Sequence, residues 1–379
     1  MRRIWKLASA VAASVRLLGL FALLAAPAWS GAQIKIGQTA AFSGPASVSV
    51  QESTEGARLY LDSINAQGGI KGQRIELISM DDKYDPRISA ANTRSLIDQG
   101  VVAMFLSRGT APSQAIVPLL EENRIALIAP STGARQLREP FNPYVFNLRA
   151  SFQREAERAI RHLASIGIKR LTVVQASDEF GSDAGLGALK ALEALNMRAT
   201  AVLRFDPARP DLAPLMRQLA KSDTEAVLLI GPAYAVVEGV TALRAAGSTA
   251  QVATLSNNAS ADFVKALGEN ARGVIVTQLF PYERSQNTPM VREAQTLARA
   301  RGRSELSPAA VEGFAAAKLL VEGLRRTAKD LTREGLLKAL DSLQKVDLGG
   351  LELSFGPKNH SGLDFTDVSI IGSDGKFVR

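Results

Sequence analysis

The densest set of groups able to hold a ligand runs from Val101 to Ala134. Two short apolar runs, 101–106 and 125–129, each end in a small polar turn. Ser107, Arg108, Gly109 and Thr110 follow the first, and Ser131, Thr132 and Gly133 follow the second. These turns offer hydroxyls, backbone N–H groups and one guanidinium. They contain no nucleophile–base pair and no metal ligand, which is the chemistry of holding a small polar molecule without transforming it. Apolar runs of this length, bounded by turn residues, predict buried parallel strands. In an open parallel sheet, ligands sit at the carboxyl ends of the strands, so both turns are expected to face one crevice. The same residue types also serve as ordinary turn formers.

The rest of the chain supplies no catalytic set. Its two histidines, His162 on an expected solvated helix face and His360 in the expected turn KNHSG, lie far apart, and no H-E-x-x-H occurs. No G-x-S-x-G elbow is present. The glycines of GSDAGLG (181–187) fit neither the dinucleotide nor the P-loop spacing. Asp81 with Asp82, and Asp178 with Glu179, are adjacent pairs. Neighbouring strand residues point to opposite faces, so these acids are expected to cap turns or meet solvent. Cysteine is absent, which excludes disulfides, cysteine–zinc sites, thiol catalysis and a lipid-modified N-terminal cysteine. The expectation is a non-enzyme with no catalytic residue, no metal and no cofactor.

At 379 residues the chain has room for two domains, and 46% hydrophobic with 6% aromatic residues suits a soluble α/β protein. Of the net charge of +8, four units come from Arg2, Arg3, Lys6 and Arg16. An apolar stretch, Leu17 to Ala26, follows, and then small residues through Ala32. This pattern predicts a secretory signal peptide, residues 1–32, cleaved after Ser30 or Ala32. The apolar run is too short to span a bilayer. Arg2-Arg3 is also compatible with twin-arginine export. No basic run interleaved with aromatics appears, so no nucleic-acid partner is expected.

Strand and helix signals alternate along the remainder. Ile34–Gly37 and RIELISMDD (74–82) read as strands, and Gly68-Gly69 ends the helix between them. Asp85-Pro86 reads as an N-cap and first-turn proline. After PFNPYVFNLRAS the pattern restarts, with Ser151 capping a helix and strands at 170–175, 201–205, 226–231, 251–256 and 273–278. Helices are expected at 290–301, 307–327 and 332–343, and strands at LELSF (351–355) and DVSIIG (367–372). Ala310, Phe314, Ala317, Leu320, Val321 and Leu324 form an apolar stripe suited to core packing. The fold class is α/β. If LRAS, VTQLF and LSF are crossings, two Rossmann-like lobes result: 33–148 with 278–353, and 149–277 with 354–379.

IKIGQTAAFSGP (34–45), GARLYLDSINAQGGIKGQRIEL (56–77), the DDKYDP turn and LIAPSTGA (127–134) resemble the type I periplasmic solute-binding proteins. More narrowly, they resemble the leucine/isoleucine/valine-binding branch that feeds ATP-binding-cassette importers. The resemblance runs from Ile34 to the C-terminus. It implies two lobes joined by a three-crossing hinge, with the ligand trapped in the cleft. It also implies that backbone N–H groups and hydroxyls of the first-lobe loops hold the ligand carboxylate. That role falls to Ser107, Gly109, Thr110, Ser131, Thr132 and Gly133, with Arg108 beside them favouring an anion. The second lobe of such proteins commonly presents an aromatic in an acidic turn, where Asp178, Phe180 and Gly181 stand here.

Two positions depart from the pattern. The carboxylate that usually takes an amino acid's ammonium is replaced by Ser256-Asn257-Asn258, leaving Asp178 or Glu179 as substitutes. An aromatic after SGP is replaced by Ser47, Val48 and Ser49. The resemblance therefore implies a monomeric periplasmic protein that captures a small carboxylate-bearing solute and delivers it to a membrane permease. Branched-chain amino acids lead the ligand classes. A secreted sensory protein of the same fold and an exported enzyme are the alternatives.

Overall fold

The structure, a computed structural model, describes residues 33–44, 46–328 and 331–379. The expected signal peptide, 1–32, lies outside the described residues. The first sheet is built from β1 (Ile34–Ala40), β2 (Ile75–Asp81), β3 (Ala103–Phe105), β4 (Ala126–Ile128) and β5 (Val145–Phe146). The connecting helices are α1 (Ser47–Ala66), α2 (Pro86–Asp98) and α3 (Thr110–Asn123). All pairings are parallel and the order is β2-β1-β3-β4-β5. The order reverses between β1 and β3, so the loops leaving those strands open a crevice at their carboxyl ends.

Local chemistry explains the element boundaries. The Asp85 side chain accepts from Arg87 N, with Pro86 at the first helical position of α2. Lys83 and Tyr84 just before it adopt left-handed φ values of 53° and 63°. Asp81 Oδ1 accepts from Lys83 N at 3.0 Å and Asp82 Oδ1 from Tyr84 N at 2.9 Å. The paired acids therefore hold a strained turn in place.

The second sheet follows helix α4 (Phe152–Ser165), capped by Ser151. Its parallel strands are β6 (Leu171–Ala176), β7 (Ala201–Phe205), β8 (Ala226–Ile230), β9 (Gln251–Thr254) and β10 (Ile275–Gln278). They are linked by α5 (Glu179–Ala194), α6 (Leu212–Ala220), α7 (Ala233–Ala245) and α8 (Ala261–Leu267). The chain then returns to the first lobe as α9 (Pro289–Ala300), α10 (Pro308–Arg326) and α11 (Arg333–Asp341). The hairpin β11 (Val346–Asp347) and β12 (Glu352–Leu353) completes that return. Finally β13 (Asp367–Ile371) and β14 (Phe377–Val378) extend the second sheet antiparallel beyond β10.

Helix α10 carries the expected apolar stripe into the first core, where Phe314 meets the Tyr60 ring edge-on at 5.2 Å. It lies against α1 closely enough that only glycine fits at the contact. A Cβ on Gly56 would stand 1.9 Å from Ala310 O, and one on Gly313 would stand 1.7 Å from Ser53 O.

Two expectations are corrected. LELSF does not return the chain to the second lobe. Only Glu352–Leu353 is strand, and Phe355 and Leu363 pack in the first core, Phe355 against Phe146 at 5.4 Å. The third crossing therefore follows Leu363, whose N–H donates to Leu148 O of the first crossing at 2.8 Å. Nor is His360 a solvated turn residue. It is 3% exposed, stacked on Phe146 at 3.9 Å, with Nε2 2.7 Å from Asp341 Oδ1. Apolar burial of both segments outweighed the turn-like sequence KNHSG.

Candidate functional site

A narrow cleft, partly open to solvent, lies between the two sheets. Its polar lining is Ser49, Arg108, Ser256, Asn257, Gln278 and Glu312, and its apolar lining includes Leu279, Phe280, Pro281, Pro308 and Ala309. The second crossing, Gln278 to Phe280, thus forms part of the wall. Ser49, one of the small residues standing where an aromatic was expected, leaves space there.

The two first-lobe loops are stitched together beside it. Ser131 N donates to Ser107 O at 2.7 Å, and Thr110 Oγ1 and Thr132 Oγ1 meet at 3.2 Å. Arg108 reaches across the cleft. Its Nη1 donates to Ser131 Oγ at 2.9 Å and its Nη2 to Asn257 O at 3.1 Å. Burial pushes the Arg108 pKa down, while the Glu312 charge opposes that shift. Gly109 precedes α3 at φ 89°, ψ 156°, a region essentially restricted to glycine. A Cβ there would stand 2.5 Å from the Tyr84 ring.

Not every expected residue turns its side chain to the cleft. The Ser107 hydroxyl pairs with Ser113 Oγ at 2.8 Å beneath the loop. Gly133 lies against the hinge, its carbonyl accepting from Phe152 N at 2.9 Å. Asp178 caps α5, accepting from Gly181 N at 2.8 Å. Phe180 tilts onto Phe152 at 4.6 Å, at the edge of a second-lobe core. Ser256 and Asn257 do line the cleft. Ser256 Oγ accepts from Arg149 Nη2 at 2.7 Å. Asn257 Oδ1 is buried and has no hydrogen-bond partner among the described residues.

Three groups went unnoticed in the sequence. Arg149, 2% exposed, bonds Glu155 Oε1 at 3.1 Å and Glu312 Oε1 at 3.3 Å. A lone arginine inside the apolar crossing segment FNLRA was its signal. Glu312, with Lys318 one of two charged residues in PAAVEGFAAAKLL, stands out within a small, apolar helix. Tyr84 sits in the loop leaving β2, where the crevice rule should have pointed to it. It keeps 47% of its surface exposed, while the Gly109 loop packs close against its ring. That crowding pushes its hydroxyl pKa up; Arg108 opposes the shift, and Asp178 and Tyr234 add to it.

Among the described residues no cluster of histidine and acidic side chains could hold a metal ion, and no helix is long and apolar enough to cross a membrane.

Residues 33–365 match the family model described as periplasmic binding protein. The Leu/Ile/Val-binding protein of Escherichia coli (strain K12) is 22% identical over 260 residues, 68% of this chain and 71% of that one. An extracellular ligand-binding receptor from Verminephrobacter eiseniae is similar with a TM-score of 0.85 and 27% identity, over 92% of this chain and 100% of that chain. A substrate-binding periplasmic protein from Ralstonia solanacearum is similar with a TM-score of 0.82 and 30% identity, over 91% of this chain and 99% of that chain.

Proposed function

This chain belongs to the periplasmic binding protein family, and from that premise we propose that it is the substrate-binding protein of an ATP-binding-cassette importer. It captures a small carboxylate-bearing solute in the interlobe cleft and presents it to a membrane permease. The observation that carries this reading is Arg108. Two of its five N–H donors are engaged, by the neutral acceptors Ser131 Oγ and Asn257 O, and its guanidinium lies at the cleft with no carboxylate bonded to it among the described residues. A carboxylate is the group that completes such a site. The family relationship supports an amino acid as the solute.

The first lobe comprises 33–148 with 278–363, the second 149–277 with 364–379. Residues 1–32 direct export to the periplasm, and the protein acts as a monomer. A ligand touching both lobes binds more tightly to the closed state and shifts the population toward it. A micromolar ligand supplies about 8 kcal/mol, enough to cover a closing cost of a few kcal/mol.

Native mass spectrometry of protein purified from its own periplasm should reveal a bound small carboxylic acid. Small-angle scattering should then show a smaller radius of gyration with that ligand than without. An unchanged radius at saturation would overturn the closure mechanism.

A further inference from the structure

We propose that Arg108 and the Ser256-Asn257-Asn258 turn form an interlobe clasp, which draws the two lobes together before any solute binds. The inference goes beyond the capture reading above and holds whichever solute the cleft takes. Arg108 belongs to the first lobe, where its Nη1 donates to Ser131 Oγ at 2.9 Å. Its Nη2 donates to Asn257 O of the second lobe at 3.1 Å. One guanidinium thus bonds both sides of the cleft, and opening the hinge must break the second bond.

The turn is built to hold that carbonyl in place. Asn257 Nδ2 donates to Gly231 O at 3.1 Å, and Asn258 Nδ2 donates to the same oxygen at 3.2 Å. Asn258, 0% exposed, also donates to Thr254 Oγ1 at 2.8 Å. Ser256 N donates to Glu155 Oε2 at 3.0 Å, and Ser256 Oγ accepts from Arg149 Nη2 at 2.7 Å. All of these partners lie in the second lobe. The turn's side chains are engaged in fixing it there, and the Asn257 carbonyl is presented to the first lobe. Three residues standing where a carboxylate was expected thereby acquire a use.

The acceptor suits a clasp that can release. A guanidinium bond to a neutral carbonyl is charge-assisted, and so stronger than a neutral pair. A carboxylate at that point would form a buried ion pair, which is far more costly to break. Two other charged contacts join the lobes and do less. Arg149 Nη1 meets Glu312 Oε1 at 3.3 Å, but on the first crossing itself, where hinge motion displaces atoms least. Lys376 Nζ meets Glu305 Oε1 at 2.6 Å, but these side chains are 41% and 61% exposed, and solvent screening leaves such a pair little worth.

The test is a distance measurement between spin labels on the two lobes. The chain has no cysteine of its own, so Arg87→Cys on α2 and Arg217→Cys on α6, both exposed, give one label to each lobe. The full mature chain is unfolded in guanidinium, dialysed to remove carried-over small molecules and refolded. Without any added solute, the doubly labelled protein should show two distances, the shorter matching this structure. Arg108→Ala should cut the short-to-long ratio by about tenfold, the loss of one hydrogen bond to a charged group. Ser131→Ala, which frees the guanidinium on its own side, should cut it in the same direction by less, and carries the test if circular dichroism shows Arg108→Ala to be unfolded. A single long distance in the protein without these two substitutions would overturn the clasp. So would a short distance that survives both of them unchanged.

Discussion

The guanidinium of Arg149 and the carboxylate of Glu155 face each other at 3.1 Å, with side chains 2% and 0% exposed. Arg149 lies on the first crossing, Glu155 on α4 of the second lobe, and the further partner Glu312 on α10 of the first. This ion cluster ties the hinge to both lobes. Removing one member of a buried pair leaves an uncompensated charge, so Glu155→Gln should lower stability by about 3–5 kcal/mol. Denaturant unfolding followed by circular dichroism checks this. A loss within error of zero would mean that water or Glu312 compensates Arg149 fully.

Arg108→Gln removes a cleft cation that bonds no carboxylate among the described residues, while keeping a hydrogen-bonding side chain. Affinity for a carboxylate ligand should fall by about 1.5–3 kcal/mol, the range for a bond to a charged group. Calorimetry with the acid and its amide provides the control. The wild type should prefer the acid, and the variant should not distinguish the two.

Gly109→Ala places a methyl group against the Tyr84 ring, in a backbone region that side chains avoid. The cost should be about 1–3 kcal/mol of stability. A shift in Tyr84 side-chain NMR signals should accompany it. Unchanged tyrosine signals would show that the loop yields instead of the ring.

Phe180→Ala tests whether the ring belongs to ligand or core. Its contact with Phe152 at 4.6 Å predicts lost stability of about 1–3 kcal/mol, the worth of burying such a side chain, with ligand affinity unchanged. Thermal unfolding and calorimetry on one sample separate the outcomes. Lost affinity at full stability would return the ring to the ligand.

Glu52 on α1 supplies a pH test. Burial pushes its pKa above the ordinary 4.5, and the Asp262 and Glu55 charges add to the shift. Its Oε2 is buried without a hydrogen-bond partner among the described residues. As pH rises past 4.5 the unfolded chain releases this proton before the folded one does. Stability is therefore lost through the raised folded pKa and stays lower at neutral pH. Glu52→Gln removes that loss. Its melting temperature should exceed the wild type's at pH 7 and converge with it below pH 4.5. An equal difference at both pH values would show that ionisation is not the cause.

The alternating strands and helices were legible because buried parallel strands are short apolar runs and their loops carry glycine, serine and capping acids. The Asp85-Pro86 helix start and the α10 stripe followed from local rules alone. The third crossing was not legible, since Phe355 and Leu363 are placed by packing against Phe146 and not by any pattern of their own. At the cleft, turn chemistry pointed to Arg108, which lines it. Glu312 and Arg149 come together across 163 positions of sequence, and no spacing rule reaches that far.

The late return of the chain to the first core has a consequence for the order of synthesis. Strands β1 to β5 leave the ribosome early, but Phe314 and Phe355, which cover them, come only near the end. Most of the second lobe's sheet, β6 to β10, is already made by then. The first half of the chain must therefore stay incompletely packed while the middle folds. That interval leaves the α1 surface facing α10 uncovered.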